Sequence, residues 1–224
     1  MKTETSGLEG APKGYLAMPK KGSGPGVLVL HAWWGLNDVF TSVCDRLAAA
    51  GFAAFAPDLY HGAIASTIEE AKTLLSRLDE ERAREDVVNS VRALRHHPKV
   101  RGDGLGVVGF SMGASWALWS ADEFPGDVAA VVVFYGTSDK PARARAAFLG
   151  HFAEKDEWES TEYINELEGS LRAAGREVAF HTYPGTTHWF FEGNRPDAYD
   201  AEAARIAWQR TVTFLTTHLF PKKS

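Results

Sequence analysis

A serine flanked by two glycines, in Gly109-Phe110-Ser111-Met112-Gly113, offers the chemistry of covalent acyl transfer. A hydroxyl is a poor nucleophile near neutral pH until a base takes its proton. Histidine suits that task because its pKa lies near the working pH. A carboxylate must then hold the imidazole tautomer and stabilise the imidazolium that forms. Two main-chain N–H groups complete such a site by holding the developing oxyanion.

The residues around Ser111 predict how it is held. Leu105-Gly106-Val107-Val108 reads as a buried strand and Ala114 to Ala121 as a helix. A G-x-S-x-G pentapeptide between them is the nucleophile elbow of the α/β-hydrolase fold. The tight turn forces its central residue into an unfavourable backbone conformation. Gly109 and Gly113 lack the Cβ atoms that would clash there. The Ser111 hydroxyl then stands at a helix N-terminus, where negative charge is favoured.

Further apolar runs predict the rest of the sheet: Gly26 to His31, Phe52 to Ala56, Val128 to Phe134, Ala147 to Ala153 and Glu177 to Tyr183. A short strand is expected at Gly14 to Pro19. Helical spacing appears at Asp38 to Ala50, with Asp38 as the cap, and at Thr161 to Ala174 and Tyr199 to Leu219. Thr67 to Leu78 and Arg84 to His96 read as one broken helix or two successive ones. Strands that alternate with helices and stay apolar on both faces belong to a parallel sheet covered on both sides. The expected class is α/β, with a mostly parallel central sheet and helices on both faces, in one domain over residues 1–224.

In such sheets the site lies beyond the carboxyl ends of the strands. The usual chain order is serine, acid, histidine. His188 is then the candidate base, in Pro184 to Phe191 between the last strand and the last helix. Asp156, just past Ala153, is the candidate acid, and Asp139 after the preceding strand is the open alternative. Glu154 and Glu157 are acidic neighbours in the same loop. The oxyanion donors are expected to be the N–H groups of Met112, next to the nucleophile, and Trp33, after the first core strand. His31 ends that strand and reads as a structural hydrogen-bonding group; His61 sits in a loop that could line the pocket. Aromatic residues crowd the site loops. Trp34, Tyr60, Tyr135 and Trp189 are the pocket candidates, with Trp33 at the border.

Composition narrows the function classes. The chain has 224 residues, 45% hydrophobic and 24% charged, enough for a sizeable core. A net charge of −5 and a pI near 5.9 argue against a nucleic-acid partner. Cys44 is the single cysteine, so neither a disulfide nor a cysteine metal site is expected. No apolar run has membrane-spanning length, and Met1 to Gly7 carries no secretory signal. The expectation is a cytoplasmic protein, monomer or homodimer, needing no metal or organic cofactor.

The chain resembles the dienelactone hydrolase family. The likeness is carried by His31-Ala32-Trp33-Trp34-Gly35-Leu36-Asn37, Ala56-Pro57-Asp58-Leu59-Tyr60, Gly106 to Gly113, Ala153-Glu154-Lys155-Asp156 and Tyr183 to Phe190. It implies a hydrolase of small ester or lactone substrates with Ser111, Asp156 and His188 as its triad. The chain also departs from that pattern. The dienelactone-opening members use a cysteine where Ser111 stands and a thiol-controlling glutamate where Ala32 stands. Their two carboxylate-binding arginines match Glu192 and a position near Ile68. A serine esterase of neutral or weakly polar substrates is therefore expected. A thioesterase or amidase with the same triad, or a non-catalytic ligand-binding protein on the same scaffold, are the alternatives.

Overall fold

The apolar runs build the middle of a sheet. The computed structural model describes residues 8–138 and 142–220. The chain passes through β1 (Gly14–Ala17), β2 (Gly24–Leu30), α1 (Asp38–Ala49), β3 (Ala53–Pro57), α2 (Ile68–Ser76), α3 (Glu80–His96) and β4 (Val100–Phe110). It continues through α4 (Met112–Glu123), β5 (Val128–Phe134), β6 (Ala147–Lys155), α5 (Thr161–Ala173), β7 (Val178–Thr187) and α6 (Ala201–Leu219). The seven strands lie in the order β1-β3-β2-β4-β5-β6-β7. β1 runs antiparallel to β3, and every other pairing is parallel.

Both faces of the sheet are covered, as the continuous apolar strands require. Successive side chains of a strand point to opposite faces. Val27 and Val29 join a core with Phe40 and Leu47 of α1 and Leu215 of α6. Leu28 and Leu30 join a second core with Val91 and Leu94 of α3, Leu118 of α4 and Leu167 of α5. Each fully buried Val or Leu contributes about 1.5–3 kcal/mol relative to exposure. Cys44 lies in the first core, fully buried. No helix among the described residues is long and apolar enough to cross a membrane.

Several boundaries differ from the sequence reading. Asn37, not Asp38, caps α1: its side-chain oxygen accepts the Val39 N–H at 3.0 Å, which leaves Asp38 in the first turn. The 67–96 region is two helices, and the second starts early because Asp79 caps it through the Arg82 N–H. β4 begins at Val100, where residues 100 and 101 pair with Gly24 and Pro25 before a bulge. β7 runs on to Thr187, paired with Lys155 past an irregularity, so His188 directly follows the strand. Trp33, Ser111, Asp156 and His188 thus all lie past the carboxyl ends of β2, β4, β6 and β7.

Candidate active site

The elbow is built from steric necessity. Ser111 has φ +50° and ψ −114°, a region that costs a non-glycine residue on the order of 1–3 kcal/mol. It is held there by its own N–H donating to Phe134 O at 2.9 Å and by Ala114 N–H donating to Ser111 O at 2.8 Å. A Cβ on Gly109 would collide with the Gly113 carbonyl, and one on Gly113 with the Leu30 carbonyl. Only glycine lets β4 turn into α4 this closely. Met112 opens α4, so its N–H is one of the helix's unpaired first donors.

Three side chains meet at this rim. Ser111 Oγ lies 3.0 Å from His188 Nε2. His188 Nδ1 lies 2.8 Å from both Asp156 oxygens. The His188 and Asp156 side chains are 5% and 3% exposed, so water screens the pair little. Asp156 Oδ1 also accepts the N–H groups of Trp158 (2.9 Å) and Glu159 (3.0 Å), which fix the carboxylate toward the imidazole. With Asp156 accepting at Nδ1, the proton sits there and Nε2 is free to accept from Ser111.

A cavity of about 390 Å³ opens over these groups, lined by Trp33, Leu75, Ser111, Met112, Ser115, Gly136, Thr137, Trp158, Glu159, His188 and Trp189. No lysine or arginine lines it among the described residues. Two cations stand against its wall rings: the Arg195 guanidinium lies 5.1 Å from the Trp189 ring centre and Lys72 Nζ 5.6 Å from the Trp158 ring centre. Glu159 is engaged by the Thr137 N–H (3.0 Å) and hydroxyl (2.6 Å), and burial raises its carboxyl above the ordinary range. Leu75, Ser115, Thr137 and Glu159 were not legible as lining residues, because they come from four separate segments and no motif marks them.

Three pocket candidates stand behind the cavity wall instead of in it. Trp34 is 1% exposed and packs edge-on against Trp33 and Trp189, with the Arg195 guanidinium 3.9 Å from its ring centre. Tyr60 turns its hydroxyl to Met112 Sδ at 3.3 Å and props that side chain from below. Tyr135, with φ +39°, is fully buried and faces His188 at 4.9 Å between ring centres. Trp33 and Trp189 do line the cavity, stacked 6.0 Å apart.

The rival groups are engaged elsewhere. Glu154 accepts the Gly185 N–H, and Glu157 is exposed. Asp139 lies outside the described residues. His31 accepts the Leu59 N–H on Nε2 and contacts Ala32 O through Nδ1, tying β2 to the 57–60 turn; burial lowers its pKa. His61 pairs with Asp86 at 3.3 Å, away from the cavity. Ala32 is buried, and Ile68 packs against the core at the start of α2.

The model of the dienelactone hydrolase family matches residues 13–219. Protein usf of Aquifex pyrophilus is 35% identical over 219 residues, covering 92% of this chain and 94% of that one. A protein of Aquifex aeolicus named "Putative carboxymethylenebutenolidase" is 34% identical over 221 residues, with the same two shares. A crystal structure from Klebsiella pneumoniae, described as a "Putative Dienelactone Hydrolase", is similar with a TM-score of 0.79, 26% identity and 92% of each chain covered. A match spanning every strand and helix, at this identity and over this length, leaves one assignment: the chain belongs to the dienelactone hydrolase family.

Proposed function

We propose that this chain is a serine-dependent hydrolase of neutral or weakly polar carboxylic esters that works through an acyl-enzyme. The observation that carries the reading is the unbroken hydrogen-bond run Ser111 Oγ–His188 Nε2, His188 Nδ1–Asp156. Ser111 Oγ attacks the ester carbonyl carbon while His188 Nε2 takes the hydroxyl proton. Asp156 holds the imidazole and stabilises its positive charge. The N–H groups of Met112 and Trp33 hold the oxyanion. As the intermediate collapses, the alcohol leaves with the proton from Nε2. Water then gives a proton to Nε2 and attacks the acyl carbon, and the acid departs with Ser111 restored.

The cavity wall supports the substrate class. Four of its lining residues are Trp33, Leu75, Trp158 and Trp189, and its one carboxylate, Glu159, is already hydrogen-bonded. Such a wall favours apolar groups and offers no counter-charge to an anion. Where the dienelactone-opening relatives carry an arginine, Glu192 is fully buried outside the cavity.

The test is a fluorophosphonate probe with an ester panel. Labelling confined to Ser111, lost in Ser111→Ala, with uncharged aryl and alkyl esters turned over faster than anionic lactones, is the expected result. Folded protein that takes no label refutes the mechanism. The reverse ranking of substrates refutes the substrate class.

A further inference from the structure

Beside the Ser111 cavity lies a second one, of about 470 Å³. The two share Leu75, Met112 and Ser115 in their walls and so lie side by side. We propose that this second chamber is an acyl subsite, and that it takes an uncharged, ring-bearing acyl arm carrying a hydrogen-bond acceptor. The proposal rests on the serine-esterase reading above.

Direction comes from the chemistry. His188 Nε2 gives its proton to the departing alcohol, so the leaving group lies against His188. The acyl substituent must extend away from it. The second chamber is reached past Met112 and Ser115 and is not lined by His188, Trp33 or Trp189. Only the acyl arm can follow that path.

The wall defines what fits. Trp116 and Trp119 are half-buried and meet edge to face at 5.7 Å and 88°. They pack in part against the core and leave apolar surface open to the chamber. The Arg84 guanidinium lies 4.9 Å from the Trp119 ring centre, half-buried and with no hydrogen bond or ion pair to a described residue. Such a group is a ready donor to a carbonyl or ether oxygen, and its face extends the stacking surface. Glu80 stands in the same wall and offsets its charge, while Asp122 is occupied by Arg143 through its backbone N–H and Nε. The chamber as a whole favours an uncharged arm.

Two ester series test this on the full-length protein. One varies the acyl group, acetyl against 3-(4-methoxyphenyl)propionyl, with p-nitrophenol as the fixed leaving group. The other keeps acetyl and varies the alcohol, p-nitrophenol against naphthol. In Arg84→Ala and Trp119→Ala, kcat/KM on the aryl-propionyl ester should fall by about tenfold, the size of one desolvated cation–π or ring contact. Both acetyl esters should change by less than about twofold, which also reports intact folding, and Trp119→Phe should recover most of the loss. A loss that follows the size of the alcohol, or falls equally on every ester, overturns the assignment. Absence of Ser111 labelling in the wild type instead removes the underlying esterase reading, and the subsite with it.

Discussion

Tyr135 and Glu192, neither reached by solvent, share a 2.9 Å hydrogen bond directly behind His188. Tyr135 donates to Oε1, while Oε2 and the Trp34 indole N–H are buried with no hydrogen-bond partner. Burial pushes the Glu192 carboxyl from 4.5 up to about 8, against the opposing pull of Tyr135, Arg195 and the Trp34 indole. The Trp34 indole favours the ionised carboxylate although it stands outside hydrogen-bond geometry.

This raised pKa sets a pH dependence of stability. Between about 4.5 and about 8 the unfolded chain has released this proton and the folded chain keeps it. The folded state binds more protons, so stability falls as pH rises through that window. Glu192→Gln cannot ionise and should flatten the slope. At pH 7 it should be the more stable protein by on the order of 3 kcal/mol. Urea midpoints at pH 5 and pH 8 check this; equal slopes in both proteins would contradict it.

Asp156→Asn separates orientation from folding. The amide oxygen can still accept the Trp158 and Glu159 N–H groups that Oδ1 accepts now. The amide nitrogen that replaces Oδ2 stands against Nδ1 as a donor, which favours the tautomer with its proton on Nε2, where the ring cannot accept from Ser111. On p-nitrophenyl acetate, kcat should drop by about 10⁴-fold with KM little changed. A drop of less than tenfold would point to another acid.

Gly113→Ala tests the elbow itself. The new methyl meets the Leu30 carbonyl, which belongs to β2, an interior strand paired on both edges, and cannot move aside. The protein should lose about 3 kcal/mol or more together with its esterase activity. An unchanged Tm would show that β2 and α4 approach less closely than described.

Leu75→Arg tests the electrostatics of the cleft. Leu75 is 41% exposed at the join of the two chambers. A guanidinium there should raise kcat/KM for a carboxylate-bearing ester relative to its methyl ester by about fivefold, roughly 1 kcal/mol for a half-exposed pair. No change in that ratio would mean the charged end never approaches the join.

The strand–turn–helix around Ser111 was legible in the sequence because every constraint on it is local. An apolar run, two glycines and a helix-forming segment all lie between Leu105 and Ala121. The α/β class was legible for a similar reason, since burial of both sheet faces is written into each strand separately. Which acid meets His188 was decided only by tertiary structure. β6 and β7 are neighbours, and Lys155 pairs with Thr187, so the next residue on each strand, Asp156 and His188, emerges side by side. No local pattern distinguishes that register from one placing Glu154 or Glu157 there. The aromatics show the same limit. Type and spacing marked Trp33, Trp34, Tyr60, Tyr135 and Trp189 alike, but a ring has no preferred side until its backbone is set. The positive φ of Tyr135 and the packing of Trp34 under Arg195 leave both behind the wall, while Trp33 and Trp189 line the cavity.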